Sequence, residues 1–284
     1  MSEEILKKYK IRAKKNLGQN FLVNDEIIYN IANIIETEDK NIIEVGPGYG
    51  ALTQKLLEQE LESLTLVELD TDMIKILEDR IELGELDTTN TNFEIINIDV
   101  LRYHPQPLLS KEGSYKYSVI ANIPYYITSP ILTHFLYKSE NKPEEMVILM
   151  QKDVGDKITE AQIIKKGKVR SSVIGLMIAK KSYVSEELFV GKENFIPAPK
   201  VQSSVLLFTT HDKFSKISDS QFLKFIKIGF SSSRKKLVKN FVNAGLDKEK
   251  ILKIFEQLDI SENCRGEELN IEKWCNLVEE LIKL

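Results

Sequence analysis

The sequence has few of the residues from which metal centres and disulfide frameworks are built. Its 284 residues include two cysteines, Cys264 and Cys275, and three scattered histidines. The cysteines form no CxxC pattern and have no histidine nearby, so we expect buried free thiols rather than metal ligands. The histidines match no zinc-ligand spacing. The sequence therefore predicts a protein without a metal site.

Long apolar runs are also missing. No stretch approaches the roughly 20 apolar residues that are needed to cross a bilayer. The opening residues, MSEEILKKYKIRAKK, contain no apolar core of a secretory signal. With 42% hydrophobic and 29% charged residues, the composition is that of an ordinary globular protein. We expect a cytoplasmic protein that has no membrane partner and acts as a monomer.

The net charge of -4 hides a separation of basic from acidic residues. Basic residues cluster in residues 7–15, 165–170 and 231–239, whereas acidic residues cluster in 57–63 and 78–87. Each run taken alone is typical of a solvated surface. Together they can produce a positive face on an acidic protein, which would suit a polyanionic partner.

Strand-like and helix-like segments alternate along the first part of the chain. The strand patterns are NIIEV, SLTLVELD, FEIINIDV, YSVIANI, MVILMQKDV and, later, VQSSVLLFTT. Such alternation predicts a parallel sheet that is covered by helices on both faces. We expect Asp25 and Ser129 to cap two of these helices, with Pro130 at the first position of the second.

The pattern changes near residue 211. The segments DSQFLKFIKIGF, RKKLVKNFVNAG, KEKILKIFEQL and IEKWCNLVEELIKL all have helical spacing of apolar residues. The sequence therefore predicts two domains. Residues 1–210 would form an α/β domain with a doubly wound, Rossmann-like sheet, and residues 211–284 a small all-helical domain.

A glycine-rich turn, EVGPGYG at residues 44–50, separates the first of these strands from the helix that follows. Glycines such as Gly46 and Gly48 allow the backbone to approach a ligand closely and to present amide groups at a helix N-terminus. The spacing does not match the dinucleotide fingerprint GxGxxG, and no Walker A lysine motif is present. Taken alone, the turn is equally compatible with a simple strand–helix connection. If it binds a ligand, an adenosine-bearing cofactor fits better than ATP.

Carboxylates follow the next two strands. Glu68 lies about 20 residues beyond the turn, where α/β nucleotide sites place a carboxylate on ribose hydroxyls. Asp70 is a competing candidate two residues later. Asp99 follows the third strand, at a position where its carboxylate could accept a hydrogen bond from a purine amino group. Strand-end carboxylates often only cap helices, but ligand-type features at three successive strand ends favour a nucleotide-type pocket there.

The fourth strand runs into ANIPYYITSPIL, residues 121–132. An Asn-x-Pro-Tyr at a strand end after an E-x-G-x-G turn resembles S-adenosylmethionine-dependent methyltransferases that act on the exocyclic amino group of a base. Further segments, in the same order, extend the resemblance to the small-subunit (16S) ribosomal RNA adenine dimethyltransferases, the KsgA/RsmA family. They are NLGQNFL (16–22), EVGPGYGALT (44–53), VELD (67–70), LMQKDV (149–154) and FIPAPKVQSSV (195–205). The similarity spans nearly the whole chain.

The resemblance implies a class I methyltransferase fold, S-adenosylmethionine as cofactor, and roles for individual residues. The implied cofactor contacts are Asn20, Leu22, Gly46, Gly48, Glu68, Asp99 and Asn122. Asn122, Pro124 and Tyr125 would hold the target adenine. A side-chain amide and a backbone carbonyl would accept its two N–H bonds, and Tyr125 would stack on the ring. Phe195 is either a second stacking surface or an ordinary core residue, and Tyr126 packs or neighbours the pocket.

The family's substrate is RNA, which proteins recognise through backbone charge, shape and splayed bases. Phosphate contacts are expected from the basic run at 7–15 and from Arg234, Lys235 and Lys236; Ser233 stands where relatives commonly have an arginine. The implied activity is N6,N6-dimethylation of two adjacent adenosines in a hairpin near the 3' end of small-subunit RNA, during subunit biogenesis. Two alternatives stay open: a large-subunit methyltransferase of the macrolide-resistance type, and a non-catalytic RNA-binding assembly factor on this fold.

Overall fold

The computed structural model describes residues 2–105, 116–163 and 169–284. Backbone contacts divide the chain into two compact units, one formed by residues 1–155 with 185–210 and the other by 156–184 with 211–284. The predicted domains at 1–210 and 211–284 stay a prediction, because the second unit also contains residues 156–184, which the sequence pattern did not assign to it. No helix in the described part of the chain is long and apolar enough to cross a membrane.

The first unit is built on a seven-stranded sheet. Its strands are β2 (Asn41–Val45), β3 (Ser63–Glu68), β4 (Asn92–Asn97), β5 (Tyr117–Asn122), β6 (Glu145–Gln151), β7 (Ser182–Val190) and β9 (Ser203–Thr210); β1 (Phe21–Leu22) and β8 (Phe195–Ile196) form a separate antiparallel pair. The order in the sheet is β4-β3-β2-β5-β6-β9-β7. Strands β2 to β6 are parallel to one another, and β9 is antiparallel to β6.

This topology positions a ligand pocket. The chain builds outward from β2 through β3 to β4 and then returns to β5 on the other side of β2. Open α/β sheets bind ligands beyond the carboxyl ends of the strands at such a switch point. Strands β2, β3, β5 and β6 are buried runs of apolar residues, as expected for parallel strands that are covered on both faces. The predicted doubly wound sheet is therefore confirmed, whereas β7 was not predicted.

The helices of the first unit are α1 (Ser2–Lys8), α2 (Asp25–Ala32), α3 (Ala51–Leu57), α4 (Thr71–Glu82) and α5 (Thr128–Thr133), and α6 (Lys152–Thr159) begins in it. Two predicted caps are wrong. Asn24 caps α2, because its side chain accepts hydrogen bonds from the amides of Glu26 and Ile27. Helix α5 begins at Thr128, directly after a 3-10 turn, and has no side-chain cap, so Ser129 lies inside it.

The second unit is helical. It contains α7 (Val173–Ala179), α8 (Asp219–Gly229), α9 (Leu237–Asn243), α10 (Lys248–Gln257) and α11 (Ile271–Leu281), so each of the four predicted helical segments contains a helix. Their apolar faces meet around the buried indole of Trp274. Cys264 and Cys275 are buried and free, as predicted. Burial raises the pKa of both thiols to about 12, which keeps them protonated and unreactive.

Candidate functional site

A cavity in the first unit opens at the carboxyl ends of β2, β3 and β5. It brings together residues that lie as much as 178 positions apart in the sequence. The sequence-predicted residues that line it are Asn20, Leu22, Gly46, Gly48, Glu68, Asp99, Asn122, Pro124, Tyr125 and Phe195. Glu44 and Tyr126 also line it. The predicted cofactor and adenine residues therefore share one pocket, as a nucleotide-type site requires.

The glycine-rich turn forms the floor of this pocket. Gly46 and Gly48 have φ angles of 69° and 58°, in the left-handed region that favours glycine. The amide of Gly46 donates to the carbonyl of Val67 at 3.0 Å, which ties the turn to β3. A Cβ added at Gly46 would lie 3.6 Å from the carbonyl oxygen of Asn122, an ordinary contact distance, so the backbone conformation and not a lack of space favours glycine here.

Glu68 links β3 to this turn. The amide of Gly48 donates to Glu68 Oε2 at 3.1 Å, and the amide of Asp70 donates to Oε1 at 2.7 Å. Burial raises the pKa of Glu68, and these backbone donors oppose the rise. Each carboxylate oxygen has a second lone pair, so the side chain can still accept a hydrogen bond from a ligand hydroxyl.

Asp70, the competing candidate, is occupied by contacts within the protein. It caps α4 by accepting from the amide of Asp72, and its carboxylate also accepts from Lys14 Nζ at 2.6 Å and from Gln19 Nε2 at 2.8 Å. Burial raises its pKa, but these hydrogen bonds together hold it below the ordinary value. Asp70 does not line the cavity, so Glu68 is the carboxylate that is available to a ligand.

Asp99 lies two residues beyond β4. It accepts a hydrogen bond of 3.0 Å from the amide of Leu101 and so caps the 3-10 turn Val100–Arg102, while it also lines the cavity. Asn97, the last residue of β4, donates to the carbonyl of Glu68 at 2.9 Å. This bond holds the ends of β3 and β4 together, and sequence reasoning did not identify Asn97.

The end of β5 presents two acceptors to the pocket. Within the described residues, neither the side-chain amide of Asn122 nor the carbonyl of Ile123 takes part in a hydrogen bond. By contrast, the carbonyl of Pro124 accepts from the amide of Ile127 at 3.1 Å. Because proline fixes its own backbone and restricts the residue before it, the Ile123 carbonyl is held in one direction.

Three aromatic residues near this end differ in their surroundings. Tyr125 is half-buried, its hydroxyl lies 2.7 Å from Ser203 Oγ, and burial raises its pKa. Phe195 is only 3% exposed and belongs to the apolar core, so it forms a wall of the pocket. Tyr126 is 61% exposed and stands at the rim. The hydrogen bond between Tyr125 and Ser203, on β9, was not predicted from the sequence.

Arg80 stabilises the glycine-rich turn through hydrogen bonds to its backbone carbonyls. The side chain is 1% exposed, and its guanidinium donates to the carbonyls of Tyr49 at 2.6 Å and Gly50 at 3.2 Å and to Gln54. Its Nε also pairs with Glu85 at 3.0 Å. A single arginine in an amphipathic helix looks like a surface residue, so the sequence offered no signal for this role.

The N-terminal arm, residues 2–19, lies along α4. Lys8 pairs with Glu85 at 2.5 Å, Tyr9 donates to Asp79 at 2.6 Å, and Lys14 pairs with both Asp70 and Asp72 at 2.6 Å. The basic run at 7–15 was expected to contact phosphates. Lys8 and Lys14 instead neutralise carboxylates of the protein; Lys10, Arg12 and Lys15 have no ion pair within the described residues.

The remaining predicted RNA contacts lie in the second unit. Arg234, Lys235 and Lys236 are exposed and directly precede α9. Lys236 Nζ donates to the side chain of Asn263. The third basic run, 165–170, lies mostly outside the described residues. Within those residues, no group of three or more His, Cys, Asp or Glu side chains is arranged to hold a metal ion.

Comparison with known proteins points to one family. The family model described as "Ribosomal RNA adenine dimethylase" matches residues 10–283. A "Ribosomal RNA small subunit methyltransferase A" from Fusobacterium nucleatum is 38% identical over 275 residues, covering 93% of this chain and 96% of that protein. A protein of the same name from Mycoplasma mycoides is 35% identical over 273 residues, covering 94% and 97%.

A solved structure shares the fold. The dimethyladenosine transferase from Plasmodium falciparum superposes with a TM-score of 0.75 at 21% identity, covering 93% of this chain and 98% of that one. At this identity the likeness concerns the fold alone, and it confirms the predicted methyltransferase architecture.

Proposed function

Because the chain belongs to the ribosomal RNA adenine dimethylase family, we propose that it transfers methyl groups from S-adenosylmethionine to N6 of two adjacent adenosines in small-subunit ribosomal RNA. Each adenosine would receive two methyl groups. The relatives that carry the name of a small-subunit methyltransferase support this choice of RNA. The substrate would be an immature small ribosomal subunit in the cytoplasm, which makes the reaction a step of ribosome biogenesis.

The residues of the pocket fit the proposed cofactor. When bound, S-adenosylmethionine supplies a methyl group that is already activated on a positively charged sulfonium. Glu68 would accept from ribose hydroxyls, Asp99 from the adenine amino group, and the glycine-rich turn would allow close approach of the backbone. Asn20 and Leu22 border the same cavity. Glu68 and Asp99 line the pocket, and in their ionised form these carboxylates favour a cationic ligand over an anionic one.

Asn122 and Ile123 would activate the target nitrogen. The lone pair of an adenine amino group is delocalised into the ring, so N6 is a poor nucleophile. Acceptance of its two N–H bonds by Asn122 Oδ1 and the Ile123 carbonyl would favour a pyramidal nitrogen with its lone pair directed out of the ring plane. Positioning of the two reactants then supplies much of the rate, and the described residues need not form a covalent intermediate.

The observation that carries this proposal is the pair of acceptors without protein partners at the end of β5. A buried or half-buried polar group without a partner costs free energy unless a ligand or water satisfies it. Here the side chain of Asn122 and the carbonyl of Ile123 belong to consecutive residues, and both lie next to the half-buried ring of Tyr125. An aromatic amino group with two N–H bonds matches them in number and polarity.

The direct test uses immature small subunits that lack this modification. They are incubated with the protein and methyl-labelled S-adenosylmethionine, and the labelled nucleosides are identified by mass spectrometry. We expect N6,N6-dimethyladenosine in the small-subunit RNA alone. Label found only in large-subunit RNA would identify the macrolide-resistance activity instead. No label, with the cofactor bound normally, would identify a non-catalytic assembly factor.

The Asn122→Ala variant tests the mechanism. It should keep the fold and most of the cofactor affinity but lose methyl transfer, because the amino group of adenine is no longer held. Asn243→Ala, at the exposed end of α9 and not among the residues that line the pocket, is the matched control and should behave as wild type. Wild-type turnover by Asn122→Ala would exclude the proposed role of the amide.

A further inference from the structure

Tyr126 is an exposed aromatic residue at the rim of the pocket that the reaction proposed above does not use. It follows Tyr125 in a 3-10 turn, lines the cavity and leaves 61% of its surface exposed. Tyr125, by contrast, is anchored through its hydroxyl to Ser203. Within the described residues, Tyr126 has neither a hydrogen bond nor a stacked ring. An aromatic ring in this position presents a large apolar surface beside the entrance.

The ring of Tyr126 is nevertheless held in place along one edge. A Cβ added at Gly18 would lie 2.9 Å from Cε1 and 3.1 Å from Cδ1 of Tyr126, and 3.2 Å from Cβ of Pro124. Gly18 has a φ of 64°, in the left-handed region. The absence of a side chain at Gly18 therefore lets the ring lie against the backbone of the N-terminal arm. This contact limits the movement of one edge of the ring before any ligand arrives, which would lower the entropy cost of binding.

The lysine Lys15 lies in the same turn as Gly18. The amide of Gly18 donates to the carbonyl of Lys15 at 3.1 Å, so the 3-10 turn Lys15–Leu17 connects the two residues. Lys15 is exposed and has no ion pair within the described residues. Its neighbour Lys14, in contrast, is neutralised by Asp70 and Asp72. The rim therefore carries an exposed aromatic ring, and the turn that contacts this ring carries an available positive charge.

From this arrangement we propose that Tyr126 forms a second base subsite, on which the unpaired nucleobase next to the target adenine stacks while Lys15 contacts the adjoining phosphate. The inference rests on the proposed function. An adenine that leaves its stack to enter a pocket exposes the face of its neighbour. An aromatic ring at the rim replaces that lost stacking, and the interaction tolerates any base because each has a π-face. With two adjacent target adenosines, the subsite would hold one while the other reacts.

The test compares Tyr126→Ala, Tyr126→Phe and Tyr29→Ala in methylation of immature small subunits. Base–aromatic stacking is worth about 1–3 kcal/mol, so Tyr126→Ala should raise the KM for the subunit by roughly 5- to 150-fold. The Kd for S-adenosylmethionine, measured by calorimetry without RNA, should stay at the wild-type value. Tyr126→Phe keeps the ring and should restore the KM to within about threefold of wild type. Tyr29, which is 55% exposed on α2 outside the cavity, is the matched control.

The role of Lys15 is tested through salt. In Lys15→Gln, the slope of log KM for the subunit against log salt concentration should decrease by about one, as expected for the loss of one phosphate contact. Lys116→Gln changes an exposed lysine that pairs with Glu144 directly before β5, at the edge of the sheet opposite the pocket, and should leave the slope unchanged. An unchanged slope in Lys15→Gln would remove Lys15 from the subsite.

Other outcomes would overturn the assignment of Tyr126. A wild-type KM in Tyr126→Ala, or a Phe variant as impaired as the Ala variant, would show that stacking on this ring is not used. A raised Kd for the cofactor with an unchanged KM for the subunit would show that Tyr126 only positions the loop around Asn20. Failure of the proposed function is distinguished from these results because wild-type protein would then produce no dimethyladenosine.

Discussion

Thr53 Oγ1 donates a hydrogen bond of 2.7 Å to Oε2 of Glu44, a carboxyl group that is 1% exposed at the end of β2. Burial raises the pKa of Glu44 to about 8, and the nearby Glu68 carboxylate adds to the rise, against the hydrogen bond from Thr53. At neutral pH the cofactor-free protein therefore keeps a largely protonated Glu44 beside the pocket. The raised pKa of Glu44 determines the direction in which its contribution to stability changes with pH.

The pKa of Glu44 in the folded protein lies above its value of about 4.5 in the unfolded chain, so the folded state binds more protons between these values. Its contribution to stability therefore decreases as pH rises from about 4.5 to 8. Glu44→Gln removes this titration and should stabilise the cofactor-free protein relative to wild type at pH 8, by on the order of a few kcal/mol, but much less at pH 5.

Urea unfolding of both proteins at pH 5 and pH 8 measures the difference. Glu36→Gln alters an exposed glutamate and should shift stability equally at both pH values. A difference between Glu44→Gln and wild type that does not change with pH would show that Glu44 is ionised throughout.

Loss of Arg80 should destabilise the first unit and the pocket together. Arg80→Ala leaves the carbonyls of Tyr49 and Gly50 without their donor and breaks the ion pair with Glu85. Breaking a buried charged network of this kind typically costs about 3–5 kcal/mol. Chemical unfolding should show a cost of this size, and cofactor affinity should fall because the turn loses its support. Arg102→Ala, an exposed arginine in the same unit, should change stability by less than about 0.5 kcal/mol; equal effects of the two variants would contradict the role of Arg80.

The N-terminal arm should depend on Asp70. Asp70→Asn weakens the contacts to Lys14 and Gln19, whereas an asparagine can still cap α4. Amide hydrogen exchange in residues 9–19 of the cofactor-free protein should become faster, while exchange in the sheet stays as in wild type. Glu58→Gln, which affects only the pair with Lys55 three residues earlier, is the control and should not change exchange in the arm. Unchanged exchange in Asp70→Asn would mean that the apolar contacts of the arm suffice.

The basic segment before α9 should contribute to RNA affinity alone. Arg234→Gln and Lys235→Gln should each weaken binding to immature subunits and reduce the slope of the salt dependence by about one, without altering the Kd for S-adenosylmethionine. Lys253→Gln, at an exposed position of α10, is the matched control and should keep the wild-type slope. Wild-type slopes in both variants would move the phosphate contacts elsewhere.

The features that were predictable from the sequence depend on local patterns. Apolar runs of five to seven residues separated by amphipathic helices identified the parallel strands, and strand-end residues such as Glu68 and Asn122 followed from them. β7 was missed because most of its residues are half-buried or exposed, so that it shows no apolar run. The cap of α2 was placed one residue late because Asn24 and Asp25 are both good caps, and only the backbone conformation decides between them.

The features that were missed depend on contacts between distant residues. Lys14 and Asp70 are 56 positions apart, and Tyr125 and Ser203 are 78 apart. Nothing in the local pattern around Lys14 distinguishes it from Lys15, yet one is neutralised and the other is free. The sequence shows that residues 7–15 are basic, but only the folded structure shows that carboxylates at α4 neutralise part of this charge.

The pairing of β1 with β8 has a consequence for synthesis of the protein. Leu22 and Phe195, which are paired in this short sheet, both line the pocket and are separated by more than half of the chain. Leu22 therefore leaves the ribosome long before Phe195. At roughly 5–20 residues per second, the nascent chain spends about 9–35 seconds with an unfinished pocket. An enzyme proposed to act on immature ribosomes would thus become able to complete its own pocket only after about two thirds of its chain has been synthesised.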